Sequence, residues 1–427
     1  MKQYSEKTSS FLVNNLVVIL FVTFTLAGFI LAGGVSPIYF LNELTDRIFR
    51  NFFLVLSLII PVIAGLGLNF GIVVGAMAGQ FAIIFVRYHD MGGLGALMLC
   101  FLLSFPLALL FGFLTGKLYN RVRGQEMIAS LIVGYFAQGI YLFILLFAVG
   151  KIIPVTPGNP IIKFDDIGVR MSVDLGLPQD GGMKYALDNL IRIPLIYLII
   201  AGALGILIFL VITFIRDRKK PGVELKSPWR FRINCLICLA VIILSLVAII
   251  TDSDLMYVRQ APLVTALVVV ALCLFLPFLN KTKLGQDFRS VGQSQHIAEI
   301  SGINVDRTRI IATIFSTVLA AWGMIIYMQN MGTLAVYDSH RQIGLFSVAA
   351  LLVGGASTSR ASVKNALIGA TLFNSMTIIS PELGLTLFGD AGAGEYFRSF
   401  MVYGVIGLAL GIYVWKIHKA ARDQNAL

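Results

Sequence analysis

The chain has 427 residues, 58% of them hydrophobic and 13% charged, with a mean hydropathy of +0.87 and a formal net charge of +11. Ordinary globular domains carry about twice that charged fraction, so a soluble enzyme, a disulfide scaffold and a disordered chain are excluded. The basic excess does not suggest nucleic acid either, because almost no polar surface is left over to read it.

A bilayer core takes about 20 apolar residues per helix, and fewer for broken pieces. Charge-free windows run over 11–34, 51–86, 91–116, 127–150, 193–215, 233–251, 260–280, 310–337, 342–359, 365–381 and 399–415. The second is too long for one upright helix and holds Pro61 and five glycines, so it reads as two spans, at least one of them short or broken. The pattern predicts an all-α polytopic membrane protein with about 10–12 transmembrane or half-membrane helices. The first helix lacks the small-residue cleavage site of a secretory signal.

Orientation follows from Lys and Arg placement. With both termini in the cytoplasm, the N-terminal tail (1–10), the 117–123 turn, the 216–232 linker, the 281–309 segment, the 360–364 turn and the 416–427 tail are internal. They hold 22 of the 33 basic residues and, with Glu126 at the inner lip, 8 of the 22 acidic ones. The internal segments therefore carry about +14, as expected beside anionic inner-leaflet lipid. The first helix is less constrained, because reading 51–86 as one span leaves its flanking charges tied. The longest external loop, 151–192, is large enough for a lid or docking surface and too small for a domain.

Three constellations stand out along the chain. Gly67, Gly71, Gly75 and Gly79 recur at four-residue steps and form a smooth stripe for close helix packing. Asn69 and Gln80 bracket that stripe, and amides at this depth need partners, so a broken helix lining a pathway remains open beside packing. Glu126 is a lip-level carboxylate, either functional or a first-turn acid complementing the helix dipole. Ser130, Tyr135 and Gln138 follow it on the same helix. Near the C-terminus, Gly354–Gly355 and a polar run with Arg360 and Lys364 interrupt another apolar stretch. Paired interruptions in the two halves of a chain mark a transporter's pathway, and a tight turn is the alternative.

Absences narrow the function. There is no GxxxxGK[ST] loop for ATP and no HExxH or GxSxG set. The four histidines, His89, His296, His340 and His418, lie scattered outside the charge-free windows, so no metal cluster is expected. Cys235 and Cys238 form a CxxC pair inside an apolar run without further ligands, and read as small buried hydrophobes. No ion-coupling carboxylate sits at mid-depth, which disfavours a stand-alone secondary transporter.

The segment GQDFRSVGQSQHIAEISGINVDRTR (285–309) is the most informative. Gln295 to Ser301 reads as a short helix with Ser294 capping its start and Gly302 closing it. Ile297 and Ile300 give it an apolar edge too small to stand alone, so it should dock into a partner. Arg289-Ser290-Val291-Gly292-Gln293-Ser294, Ala298-Glu299-Ile300 and Ser301-Gly302-Ile303-Asn304 resemble the pattern that precedes the second half of permeases in bacterial ABC importers for branched-chain amino acids, ribose-type sugars and nucleosides. Asn69-Phe70-Gly71-Ile72, Glu126-Met127-Ile128 and Val353-Gly354-Gly355 extend the resemblance, in order, over most of residues 50–415.

The resemblance implies a type II, cobalamin-importer-like permease architecture in the bacterial cytoplasmic membrane. It implies that Gly292, Gln293, Ser294, Gln295, His296, Ile297, Ala298, Glu299, Ile300, Ser301 and Gly302 form the coupling element for a separate ATPase subunit. ATP and magnesium would be held there, with no cofactor in this chain. It further implies a second permease subunit and an external binding protein. Asn69, Gln80, Glu126, Tyr135 and Gln138 are then the pathway candidates. The missing Glu-Gly-Gln of nucleoside-type relatives, the Asp-rich loop 151–192 and an enlarged apolar hairpin around 233–280 are departures that bear on substrate. A nucleoside or simple sugar fits the lack of intramembrane charge pairs; a branched-chain amino acid is the alternative.

Overall fold

The computed structural model describes residues 2–33, 35–218, 228–251, 260–390, 392–400, 403–404, 406–408 and 411. The 416–427 tail and much of the 216–232 linker lie outside the described residues. The described chain is a helical bundle with four three-residue strands.

Helix α1 spans Lys2–Ala32, so the residues read as an N-terminal tail are its first turns, and it packs along the late helix α14 (Val363–Phe388). Helix α2 (Pro37–Ser57) opens with proline at its first position, where the missing N–H is no loss. The 51–86 window is then broken as the glycine and proline content predicts. Helix α3 (Ile59–Ile63) stops at a turn with Gly65 and Gly67 at φ +74° and +70°, and α4 (Ile72–Tyr88) begins after Asn69 and Phe70. Helices α5 (Gly93–Arg121) and α6 (Glu126–Phe143) follow, and α6 continues through a π-helical turn, Ile144–Ala148.

Strand β1 (Ser172–Asp174) and strand β2 (Arg192–Pro194) belong to the 151–192 connection. Helices α7 (Leu195–Arg218) and α8 (Pro228–Ile250) pack chiefly against each other, with Phe214 and Phe231 stacked at 4.2 Å. Strand β3 (Gln260–Pro262) pairs antiparallel with β2, bringing the chain back to where it left. The apolar hairpin is therefore α7–α8, rather than the 233–280 pair suggested by hydropathy. That pairing draws α7's start to α8's return and leaves α9 (Leu263–Leu279) to join the bundle.

After α9 the axis bends by 71° into α10 (Lys283–Gln293), followed by α11 (Gln295–Ile300). Helix α12 (Val305–Met331) is the centre of the bundle, with 67% of its most apolar window buried. It ends at strand β4 (Thr333–Ala335), which pairs with β1, and α13 (Ser339–Val353) and α14 complete the main bundle. Of the four-glycine stripe, Gly75 and Gly79 pack here, whereas Gly67 and Gly71 fall in the break before α4 and do not continue the helix face. A β-carbon on Gly75 would fall 2.5 Å from the Thr317 carbonyl oxygen, and one on Gly112 of α5 2.8 Å from Ile314 Cα, so α4 and α5 lie backbone-close on α12.

Among the described residues, five helices are long and apolar enough to cross a membrane alone, and six if the bent α9–α10 pair counts as one span. Two further apolar windows form shorter helices, because glycine breaks cut α4 to 17 residues and α13 to 15. Large apolar side chains cover the outside, as lipid requires of a chain whose backbone bonds are satisfied within helices. The protein is an all-α, multi-pass membrane protein. Below, the near end is the end carrying 281–309 and the far end is the one carrying 151–192.

Candidate functional site

The structure divides the five pathway candidates into two polar groups and a cleft. At the near end, Asn69 is buried in the α3–α4 break. Its Oδ1 accepts from the Tyr119 hydroxyl at 2.8 Å and from the Gly71 N–H at 2.9 Å. The next amide, Phe70 N–H, donates to Ser130 Oγ of α6 at 3.2 Å. Two amides of the break are thus satisfied by Asn69 itself and by Ser130 of α6, while Tyr119 of α5 holds the Asn69 side chain, as burial demands.

Glu126 lies beside this group. Its Oε1 accepts from Arg309 Nη2 at 2.5 Å and from the Gly124 N–H at 3.0 Å, and Arg309 Nη2 also donates to the Tyr119 carbonyl at 3.0 Å. Arg309 is fully buried, with its Nε and Nη1 hydrogen-bonded to nothing among the described residues. Removing one partner from such a pair typically costs ~3–5 kcal/mol, because the other charge is left desolvated. Glu126 therefore fixes the start of α6 against α12.

The second group lies deeper. Gln80 of α4, Gln138 and Tyr141 of α6 and His340 of α13 converge on one another. Gln80 Oε1 accepts from the Tyr141 hydroxyl at 2.8 Å and lies 2.7 Å from His340 Nδ1. Gln138 Oε1 contacts His340 Nε2, while its Nε2 donates to the Tyr337 carbonyl at 3.0 Å. That carbonyl fixes the Gln138 amide, so His340 Nε2 is the donor toward it. A neutral imidazole then needs a donor at Nδ1, which the Gln80 amide supplies when turned end for end. In the orientation present, Gln80 Nε2 is buried without a partner.

His340 corrects an expectation. The charge-free windows place it outside the spans, yet it is wholly buried. Helix α13 begins four residues after β4, so its first turn already lies within the bundle. Tyr135 is mostly exposed and, with Gln138, faces a cleft between α4, α6 and α13 that Phe70, Val73, Arg341 and Gly344 complete.

The 292–302 element at the near end is two pieces. Gly292 and Gln293 end α10, Ser294 accepts from the Ile297 N–H at 3.3 Å, and Gln295, His296, Ile297, Ala298, Glu299 and Ile300 form α11. Ser301 Oγ donates to the Ile297 carbonyl at 2.8 Å, and Gly302 turns the chain at φ +80°. Ala298 is buried with Val291, Val305 and Ile303, whereas Ile297 and Ile300 are 65% and 74% exposed. Arg123, in the α5–α6 connection, bridges this element: its Nη1 lies 3.3 Å from Glu299 and its Nη2 2.6 Å from Asp306. The Asp306 hydrogen bond chiefly holds the Arg123 guanidinium more firmly protonated.

Residues 52–410 match the family described as branched-chain amino acid transport system / permease component. The match covers most of the chain. The chain belongs to that family. No curated protein and no solved structure is matched. As a permease component it is the membrane subunit of an ABC transporter, a family that works with separate ATPase subunits.

Within this permease the sequence reading missed Arg309, Tyr119, Tyr141 and His340. Arg309 sits at the edge of an apolar window and looks like one more topological charge; only its place one turn inside α12 distinguishes it. At the far end Asp188 is also buried, accepting from Thr265 Oγ1 at 2.5 Å, Gln329 Nε2 at 2.7 Å and Asn330 Nδ2 at 2.8 Å. It pins the 151–192 connection to α9 and α12.

Proposed function

We propose that this permease imports a small polar solute, a nucleoside or a simple sugar, across a bacterial cytoplasmic membrane, with both termini and the 281–309 segment in the cytoplasm. An external binding protein delivers the solute, two permease subunits enclose its path, and ATP with magnesium is hydrolysed on ATPase partners that grip 292–302. The observation that carries the reading is α11, an otherwise surface helix anchored by Ala298 that presents Ile297 and Ile300 outward. Two exposed isoleucines on a two-turn helix suit a groove on a partner better than water.

The cleft supports the substrate class. Phe70 and Tyr135 offer aromatic faces, Gln138 an amide, and the lining has no carboxylate to meet an ammonium group. Asn69, Gln80 and Glu126 lie behind it as supports for the helices that line it. The second reading, a branched-chain amino acid, is favoured by Arg341 at the cleft, which could hold a carboxylate, and by the family's description.

The test is reconstitution with the ATPase and binding protein encoded beside this chain, followed by uptake of labelled nucleosides, sugars and leucine. ATP-dependent uptake of a nucleoside or sugar supports the reading, and uptake of leucine alone replaces it with the second. Failure of an affinity-tagged chain to retain any ATPase overturns it.

A further inference from the structure

The polar contacts of the near end form one continuous line from α11 into the α3–α4 break. Glu299 of α11 and Asp306 of α12 are both held by Arg123, in the connection that leads into α6. Three residues after Arg123, Glu126 takes the buried Arg309 of α12. The same Arg309 Nη2 holds the Tyr119 carbonyl, and the Tyr119 hydroxyl holds Asn69 in the break. Phe70 then returns to α6 through Ser130. Each step joins a different pair of elements, so α11, the α5–α6 connection, α12 and the break are tied in series.

Two features separate this line from ordinary surface pairing. Arg309 is fully buried and bonded through one nitrogen only, so α12 cannot move against α6 without exposing or stranding a charge. Arg123 is half-exposed and bridges two acids on separate elements, a link that can break without unfolding a core. Coupling between distant sites travels through such packed, hydrogen-bonded series when an element along them is bistable.

We propose that Arg123 and the buried Arg309–Glu126 pair transmit displacement of α11 to the Asn69 break and to α6, making Arg123 a positioning residue that couples partner ATP hydrolysis to opening of the cleft. The proposal rests on the reading of 292–302 as the ATPase-docking element. Displacing α11 pulls Glu299 and, through Arg123, turns the start of α6. Glu126 must then shift against Arg309, and Tyr119 carries that shift to Asn69.

The experiment uses the assembled complex in proteoliposomes and measures solute transported per ATP hydrolysed. Arg123→Ala should retain the ATPase and its basal hydrolysis while transport per ATP falls at least fivefold, and Arg123→Lys should recover at least half of the loss. Arg121→Ala, an exposed neighbour, should match the unaltered chain. Combining Arg123→Ala with Arg309→Lys should reduce transport per ATP by less than the product of the separate losses, because both lie on one line. An unchanged ratio in Arg123→Ala overturns the proposal, and so does loss of the ATPase from that variant, which would make Arg123 an assembly residue. If the unaltered chain itself retains no ATPase, the permease reading fails first, and that outcome is read from a different lane.

Discussion

Gly65 and Gly292 meet backbone to backbone: a β-carbon on Gly65 would fall 2.8 Å from Gly292 Cα, and one on Gly292 would fall 2.1 Å from the Ile63 carbonyl oxygen. The end of α10 thus rests directly on the break between α3 and α4. No side chain at either residue intervenes between the element proposed to meet the ATPase and the first interruption of the bundle. Gly292→Ala places a methyl group against main chain that cannot turn aside, and such overpacking costs about 1–3 kcal/mol. Gly302→Ala has open space around it and carries only the left-handed strain of φ +80°, about 1–2 kcal/mol. Thermal unfolding in detergent should rank Gly292→Ala as the less stable of the two, with ATP-driven transport lost only there. Equal melting temperatures would show that the α10–break contact is loose in solution.

Ala298 and Ile300 are two residues apart on α11 and should separate stability from assembly. Ala298→Glu forces a carboxylate among Val291, Val305 and Ile303, and an unpaired buried charge shifts or expels itself at a cost of several kcal/mol. Ile300→Ser alters a side chain already 74% exposed, so the melting temperature should stay within about 2 °C, since surface changes fall within about 0.5 kcal/mol. Pull-down of the ATPase should weaken at least tenfold with Ile300→Ser joined to Ile297→Ser. Undiminished pull-down would place the docking contact elsewhere on the near end.

How much of this was legible beforehand depends on whether the signal was local. The broken 51–86 window is written in Pro61 and its glycines, and the cap and stop of α11 in Ser294 and Gly302, because each is a backbone requirement met by one residue type. Arg309 and His340 are different. Their partners lie 183 and 202 or more positions away, at Glu126, Gln138 and Gln80, and no window of neighbouring residues reveals such a pairing. The hairpin's partner was misread for the same reason. Hydropathy cannot distinguish α8 paired with α7 from α8 paired with α9, and the β2–β3 pairing that decides it joins Arg192 to Pro262, 70 positions apart.

The Gln80–Tyr141–His340–Gln138 group makes its own prediction. Tyr141→Phe deletes one hydrogen-bond partner of the Gln80 amide and leaves the ring packed on Phe81 and His340. The loss of one buried hydrogen bond should cost about 1 kcal/mol. His340→Leu removes the hub and takes one partner from each glutamine amide, leaving Gln138 Oε1 bare, which should cost about 1–3 kcal/mol for each buried polar atom left unsatisfied. Because Gln138 also faces the cleft, His340→Leu should change the half-saturating solute concentration in uptake, whereas Tyr141→Phe should not. Parallel effects of the two on uptake would assign the whole group to structure.

The α7–α8 hairpin stands apart from this machinery, and its attachment suggests how to remove it. Its ends meet in the β2–β3 pair, where Pro194 faces Gln260 directly, a spacing that a two-residue turn can close. Its most apolar windows are only 11% and 17% buried, so the bundle gains little apolar contact from it. Both helices are long enough to span, so deleting 195–259 removes two crossings together and leaves the sidedness of everything after it unchanged. A variant with Asn-Gly joining Pro194 to Gln260 should therefore insert with the same sidedness, read by labelling single cysteines introduced near residue 297 and in the 151–192 connection. It should also melt as one cooperative unit, since α12 and its neighbours keep every contact that centres the bundle. Reversed labelling or loss of the folding transition would mean that the hairpin supports the bundle through the membrane or a partner subunit. Retained folding with lost uptake would instead place a required contact on the hairpin's exposed face.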